Sequence, residues 1–128
     1  MESSMSKRQI NIQAGDCSVV VVLDNNMTAD IIWESLPITT PGSTWGDEIY
    51  FRTDINLGED NAKDVVDFGT VGFWPPGSAI CLFFGPTPAS EDNEIRPASP
   101  VNHVGWIDGD PKILKSFRSG DVIHVNRL

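Results

Sequence analysis

Short apolar runs separated by turn residues dominate the chain, the pattern of a mostly-β domain. Residues 7–13 alternate, with Ile10 and Ile12 on one side, and read as a strand. After the turn Ala14-Gly15-Asp16, residues 18–23 are apolar on both faces, which suggests a helix packed over a curved sheet. Thr28 is the expected N-cap of a short amphipathic helix, with Asp30 in its first turn. Ala29, Ile32, Trp33 and Leu36 fall on one stripe, and Pro37 ends the run. Trp33 is expected to pack on the body of the domain. Residues 38–45 read as a loop or edge segment carrying Pro41-Gly42.

Residues 48–52 alternate strictly: Ile49 and Phe51 point one way, and Glu48, Tyr50 and Arg52 the other. Residues 53–67 hold five carboxylates against Lys63 and read as a solvated surface loop. Residues 67–74 form another strand, closed by Pro75-Pro76-Gly77. Residues 79–84 are strongly apolar and predict a central strand, which leaves the sheet at Gly85-Pro86-Thr87-Pro88. A polar loop over 89–100 precedes a strand at 101–107. Asp110-Pro111 then opens a second short helix with Ile113, Leu114 and Phe117 as its apolar residues. In the last strand, residues 122–127, Ile123 and Val125 share a face with Arg127, and Val122, His124 and Asn126 take the other.

These elements sum to about eight strands and two short helices. Eight strands are enough to close a barrel filled by its own side chains, and closure removes exposed sheet edges. The expected fold is a mostly β, closed antiparallel barrel with helices at its ends. The 128 residues fit one domain, 1–128, with residues 1–6 expected to be flexible. Such a domain buries roughly two-thirds of its unfolded surface and needs no disulfide.

Acidic residues number 18 and basic ones 9, a net charge of −9. That balance argues against a nucleic-acid or anionic-membrane partner, since both are bound through Lys and Arg. The longest apolar run, residues 79–84, is far below the ~20 residues of a membrane span. No apolar stretch follows the polar start Met1 to Arg8, so a cytoplasmic, reduced protein is expected. Cys17 and Cys81 are expected to serve as core packing. With no Cys-x-x-Cys pair and only His103 and His124, neither a metal nor a cofactor is expected.

Three stretches resemble a cyclophilin. Thr28-Ala29 with Ile32 is similar to its first helix. Gly69-Thr70-Val71 through Ala79 to Phe83-Phe84 is similar to the strand pair ending in the paired phenylalanines of the isomerase pocket. Gly105-Trp106-Ile107-Asp108-Gly109 with residues 112–117 is similar to its late strand, turn and second helix. Over nearly the whole chain the closer resemblance is to a small prokaryotic cyclophilin-like family, a domain of unknown function distantly similar to the cyclophilin peptidyl-prolyl isomerases. It is carried by Trp45-Gly46-Asp47-Glu48-Ile49-Tyr50-Phe51, Gly72-Phe73-Trp74-Pro75 and Phe83-Phe84-Gly85-Pro86-Thr87-Pro88. The resemblance implies a cyclophilin-type barrel without an established activity.

The isomerase motif is only partly matched. Cyclophilins place their arginine in a Phe-His-Arg strand, and Tyr50-Phe51-Arg52 stands here. Phe84 matches the second paired phenylalanine. The Gln-Gly-Gly-Asp word has no counterpart; the acidic residues 57–67 lie there instead. The pocket histidine of cyclophilins lies four residues before the late glycine, which is Val101 here. His103 is two before, and such an offset keeps a side chain on the same face.

The expected binding cleft gathers Glu48, Tyr50, Arg52, Trp74, Phe84, Thr87 and His103. It would take a small molecule or short peptide, with Arg52 suited to a carboxylate or phosphate. The same alternation also fits a solvent-facing strand with a weak Glu48–Arg52 pair. The enzyme reading is prolyl isomerisation by Arg52 and Phe84. A third reading is an interaction module whose acidic loop, residues 54–67, meets a basic partner.

Overall fold

The computed structural model describes residues 8–128, so the flexibility expected for residues 1–6 lies outside the described residues. Strand β1 (Gln9–Ala14) turns at Gly15 into β2 (Cys17–Leu23), with Ile10 opposite Val21 and Ile12 opposite Val19. Gly15 has φ +60°, a value that favours glycine, and it makes this tight connection possible.

Helix α1 (Met27–Ser35) follows. Its N-cap is Asn26, not Thr28: the Asn26 side chain accepts from the Ala29 N–H at 2.8 Å. Thr28 is instead inside the helix and buried, where its hydroxyl accepts from the Asn102 side chain at 3.2 Å. Both residues are good caps. Asn26 wins because its Nδ2 also donates to the His103 carbonyl, fixing the helix start against a later strand. Trp33 is half-buried against the core, with the guanidinium carbons of Arg8 and Arg127 at 5.7 and 4.6 Å from the ring centre.

Of the two readings for residues 38–45, loop or edge segment, the structure takes the edge over 38–44: β3 (Ile38–Pro41) and β4 (Ser43–Thr44), joined at Gly42. β3 pairs with the last strand, β9 (Val122–Arg127), and β4 pairs with β5 (Glu48–Arg52). One bent segment therefore supplies both edges of the sheet, and the barrel is nearly closed through it. A Cβ at Gly42 would meet the Phe117 ring at 2.9 Å, so the bend requires a residue without a side chain. The remaining strands are β6 (Thr70–Trp74), β7 (Ala79–Phe83) and β8 (Asn102–Asp108). The sheet order is β3-β9-β1-β2-β8-β6-β7-β5-β4, antiparallel at every pairing. Nine strands replace the expected eight because one stave is divided at Gly42.

The second predicted helix is a 3-10 helix, Pro111–Ser116, capped by Asp110, whose side chain accepts from the Lys112 N–H. Leu114 and Phe117 enter the core, but Ile113 is 45 % exposed: at three residues per turn it falls on the outer side.

Inside the barrel lie Ile10, Ile12, Val21, Ile49, Phe51, Val71, Phe73, Ile80, Leu82 and Val125, among others. A second apolar cluster sits on the outer face of β5, β7 and β6: Val66, Cys81, Phe83, Ile95 and Val101, with Tyr50 and Trp74 against it. Two long loops fold over that face. Residues 53–69 and 84–101 join through the bridges Lys63–Val101 and Val66–Ile95. The acidic loop is thus more than a solvated excursion, although Asp54, Glu59, Asp64 and Asp67 do face solvent. β7 is buried on both faces, by the barrel core within and the loops without.

Candidate functional site

The outer face of the β5-β7-β6 ladder carries side chains in three rows. Arg52 and Trp74 flank Ala79 in the first; Tyr50 and Gly72 flank Cys81 in the second; Glu48 stands opposite Phe83 in the third. Alternation forces this set outward, because Ile49, Phe51, Ile80, Leu82, Val71 and Phe73 all turn into the core. Gly72 leaves a gap in the middle row. A Cβ there would meet Val101 at 2.9 Å, so Val101 of the second loop settles where that side chain would stand.

The loops do not cover the whole face. They leave a cleft of about 340 Å³. Its floor is Glu48, Tyr50, Cys81 and Val101; Trp45, Trp74 and Arg52 stand around it, and Pro97 and Ala98 form the opposing wall. Trp45 is tied to the floor by its N–H, which donates to the Glu48 carbonyl at 2.9 Å. The Trp74 indole N–H donates to Ser99 Oγ at 2.6 Å, anchoring the ring to the second loop.

Glu48 is the chemically distinctive group. It is only 6 % exposed, and among the described residues its carboxyl has no cationic partner. Burial pushes its pKa up to about 7, opposed in part by the neighbouring Cys81 thiol, whose hydrogen bond runs to the Ala79 carbonyl at 3.9 Å. The thiol is itself pushed well up by burial and by the neighbouring carboxyl. A carboxyl with its midpoint near neutrality can donate or accept a proton at working pH. Arg52, at the other end of β5, is exposed and donates to the Gly77 carbonyl at 3.2 Å, with no ion pair to Glu48.

Of the seven residues expected in the cleft, the structure brings together Glu48, Tyr50, Arg52 and Trp74. The other three lie elsewhere. Phe84 is 4 % exposed and belongs to the barrel core. Phe83, one residue earlier, holds the outward position, and a one-residue step reverses the face. Thr87 is buried within the second loop, where its hydroxyl donates to the Arg96 carbonyl and its N–H donates to Ser90 Oγ, fixing the turn ahead of Pro97. His103 turns its Nδ1 to the Asp24 carboxylate. A register irregularity between Val71 and Gly72 on the β6–β8 pair, with Val101 over Gly72, separates it from the cleft.

Trp45, Cys81, Val101, Pro97 and Ala98 were not anticipated. Cys81 was recoverable, since alternation along 79–84 places it on one face with Ala79 and Phe83. Nothing local in residues 97–101 announces that they return to this face. A larger concavity of about 720 Å³ lies between β3, the end of α1 and residues 52–57. It holds no aromatic ring, and its two charged residues, Arg52 and Asp54, are exposed. No group of three or more His, Cys, Asp or Glu among the described residues could hold a metal ion. No described helix is long and apolar enough to cross a membrane.

A nearly closed antiparallel barrel with a loop-walled cleft on its outer face is a cyclophilin-type architecture. The family model described as Cyclophilin-like matches residues 8–126, and the chain belongs to that family. Among solved structures, the solution structure of a hypothetical protein from Archaeoglobus fulgidus is similar over 100 % of both chains, at 39 % identity and a TM-score of 0.83. No curated protein matches the sequence.

Proposed function

We propose that this cyclophilin-like domain binds a small molecule or short peptide in the cleft over Glu48, Tyr50 and Trp74. The observation that carries the reading is the convergence of a buried carboxyl with two tryptophans and a tyrosine in one concavity of about 340 Å³. Pockets of that size, mostly apolar with a few aimed polar groups, are the usual form of a ligand site. Two long loops held together by backbone bridges give the cleft a fixed wall, which lowers the ordering cost of binding.

Two other readings are less well supported. Arg52 faces the cleft and Phe84 the barrel interior, so the pair needed for prolyl isomerisation does not converge. Asp54, Glu59, Asp64 and Asp67 face solvent, as a basic partner would need, but the same loop is engaged in walling the outer face.

Titrating isotope-labelled protein with metabolite and short-peptide libraries tests the proposal by NMR. Saturable shifts centred on Trp45, Tyr50 and Trp74 are expected. Saturable shifts confined to other surfaces, or none across the libraries, overturn it.

A further inference from the structure

Resting on the cleft as a ligand site, we propose that its ligand carries an alkylated ammonium group that seats against Glu48 between Trp45, Tyr50 and Trp74. Three observations lead there. The first is the uncompensated carboxyl. Glu48 is nearly closed off from water, the neighbouring Cys81 thiol is neutral and turned to the Ala79 carbonyl, and no cation among the described residues meets the carboxyl. A buried carboxylate without a counter-charge is costly, and a ligand cation supplies the missing partner.

The second is the aromatic surround. Two indoles and a phenol line the same cleft. The faces of such rings carry negative potential and attract organic cations, most strongly where water is excluded. The third is the remaining wall. Pro97, Ala98 and Val101 offer hydrocarbon and no side-chain acceptor. A primary ammonium has three N–H donors to satisfy, which this wall leaves unpaired; a group whose nitrogen bears methyls has none or one.

The other charged groups around the cleft do not reverse this. Arg52 lies four residues along the strand, about 13 Å by strand rise. That exceeds the ~8 Å screening length at physiological salt, and its guanidinium is held by the Gly77 carbonyl. Cys81 on β7 and Tyr50 on β5 are the remaining ionisable side chains on the floor. Asp47 is turned to the backbone at Gly85. The 97–101 wall and Trp74 contribute no ionisable side chain. The net charge of −9 also favours approach by a cation. An anionic group seated between Trp45, Tyr50 and Trp74 would, by contrast, face the Glu48 carboxyl.

Choline is the probe, because its charge does not titrate, and 3,3-dimethylbutan-1-ol is its neutral counterpart of the same shape. The readout is the indole N–H signals of the four tryptophans. Choline is expected to shift the Trp45 and Trp74 signals saturably, leaving Trp33 and Trp106 in place. The neutral alcohol should bind at least ~10-fold more weakly. Apparent affinity for choline should rise about tenfold from about pH 6 to about pH 8, as Glu48 ionises. Glu48→Gln should weaken choline by ~10-fold or more and abolish that pH dependence. The alcohol comparison uses the unaltered chain and stands even if the variant fails to fold.

Equal binding of choline and the alcohol, affinity unchanged between these pH values, or no response of Trp45 and Trp74 to choline overturns the proposal. If library compounds without a cation move Trp45 and Trp74 while choline does not, the cation falls and the cleft stands. If nothing moves them, both fall.

Discussion

The Cys81 thiol lies beside the Glu48 carboxyl on the outer wall of the barrel, in surroundings that are otherwise hydrocarbon and aromatic, while its own hydrogen bond runs to the Ala79 carbonyl at 3.9 Å. Among the described residues no cation compensates this nearly enclosed carboxyl, and burial sets its midpoint near neutrality.

Stability should therefore carry a Glu48 signature. The folded-state pKa of about 7 lies above the ordinary 4.5 of the unfolded chain. The folded state then holds the proton more tightly between those values. The stabilisation is fully present below about pH 4.5 and is lost as pH rises through about 7. At 1.36 kcal/mol per unit, the swing is about 3 kcal/mol. Urea unfolding at about pH 4.5 and about pH 8 should show the native chain losing that much relative to Glu48→Gln. A constant difference between the two proteins would show that the carboxyl is not held in its neutral form.

The two cysteines should separate cleanly. Cys81 is buried, and its thiol is pushed well up by burial and by Glu48. Cys17 is partly accessible at the start of β2, beside Ser116 Oγ at 2.8 Å. A thiol reagent such as a disulfide dye should modify Cys17 in the native protein and reach Cys81 only on unfolding. Mass spectrometry of the labelled peptides reads this directly. Native-state labelling of Cys81 at a rate near that of Cys17 would contradict the burial.

Asn102 should matter more than its place at the start of β8 suggests. Its Oδ1 accepts from the Asp60 N–H at 2.8 Å, and its Nδ2 donates to the Gly58 carbonyl at 3.0 Å and to Thr28 Oγ1 at 3.2 Å. One buried amide thus ties the acidic loop, α1 and the barrel together. Asn102→Ala removes three bonds and strands a buried hydroxyl, a loss of about 2–4 kcal/mol. Amide exchange at Asp60 should accelerate beyond the global loss. A uniform acceleration across the barrel would mean that the loop is held by other contacts.

How much of this was legible depends on the range of the interaction. Alternation in residues 48–52 and 122–127 gave the facing of every side chain there, because a period of two is a local property. The barrel followed from the number and length of the apolar runs. The seal at Gly42 did not, because residues 38–44 carry no strong alternation and become strand through their partners β9 and β5. Among the cleft residues, those on β5 and β6 were found from the pattern. Phe84, Thr87 and His103 were misplaced by one-residue facing, by a self-contained turn and by a strand irregularity, in that order. Pro97 and Ala98 reach the cleft only because bridges between two loops bring them back. Such long-range pairing leaves no trace in a single stretch of sequence.

Prolyl isomerisation tests the same wall from its other side. Twisting an Xaa-Pro bond means overcoming a barrier of ~18–20 kcal/mol. Lowering it takes a donor near the proline nitrogen and an apolar socket for the ring on one face. Here Arg52 points outward and donates to Gly77, while Phe84 is enclosed in the barrel core behind β7. The native chain and Arg52→Ala should therefore both leave a proline peptide to relax at its uncatalysed rate, over tens to hundreds of seconds. Acceleration by the native chain that vanishes in Arg52→Ala would reverse this conclusion. It would mean that the Trp74 and Val101 side of the cleft supplies the socket, and that the cleft's ligand is a prolyl peptide.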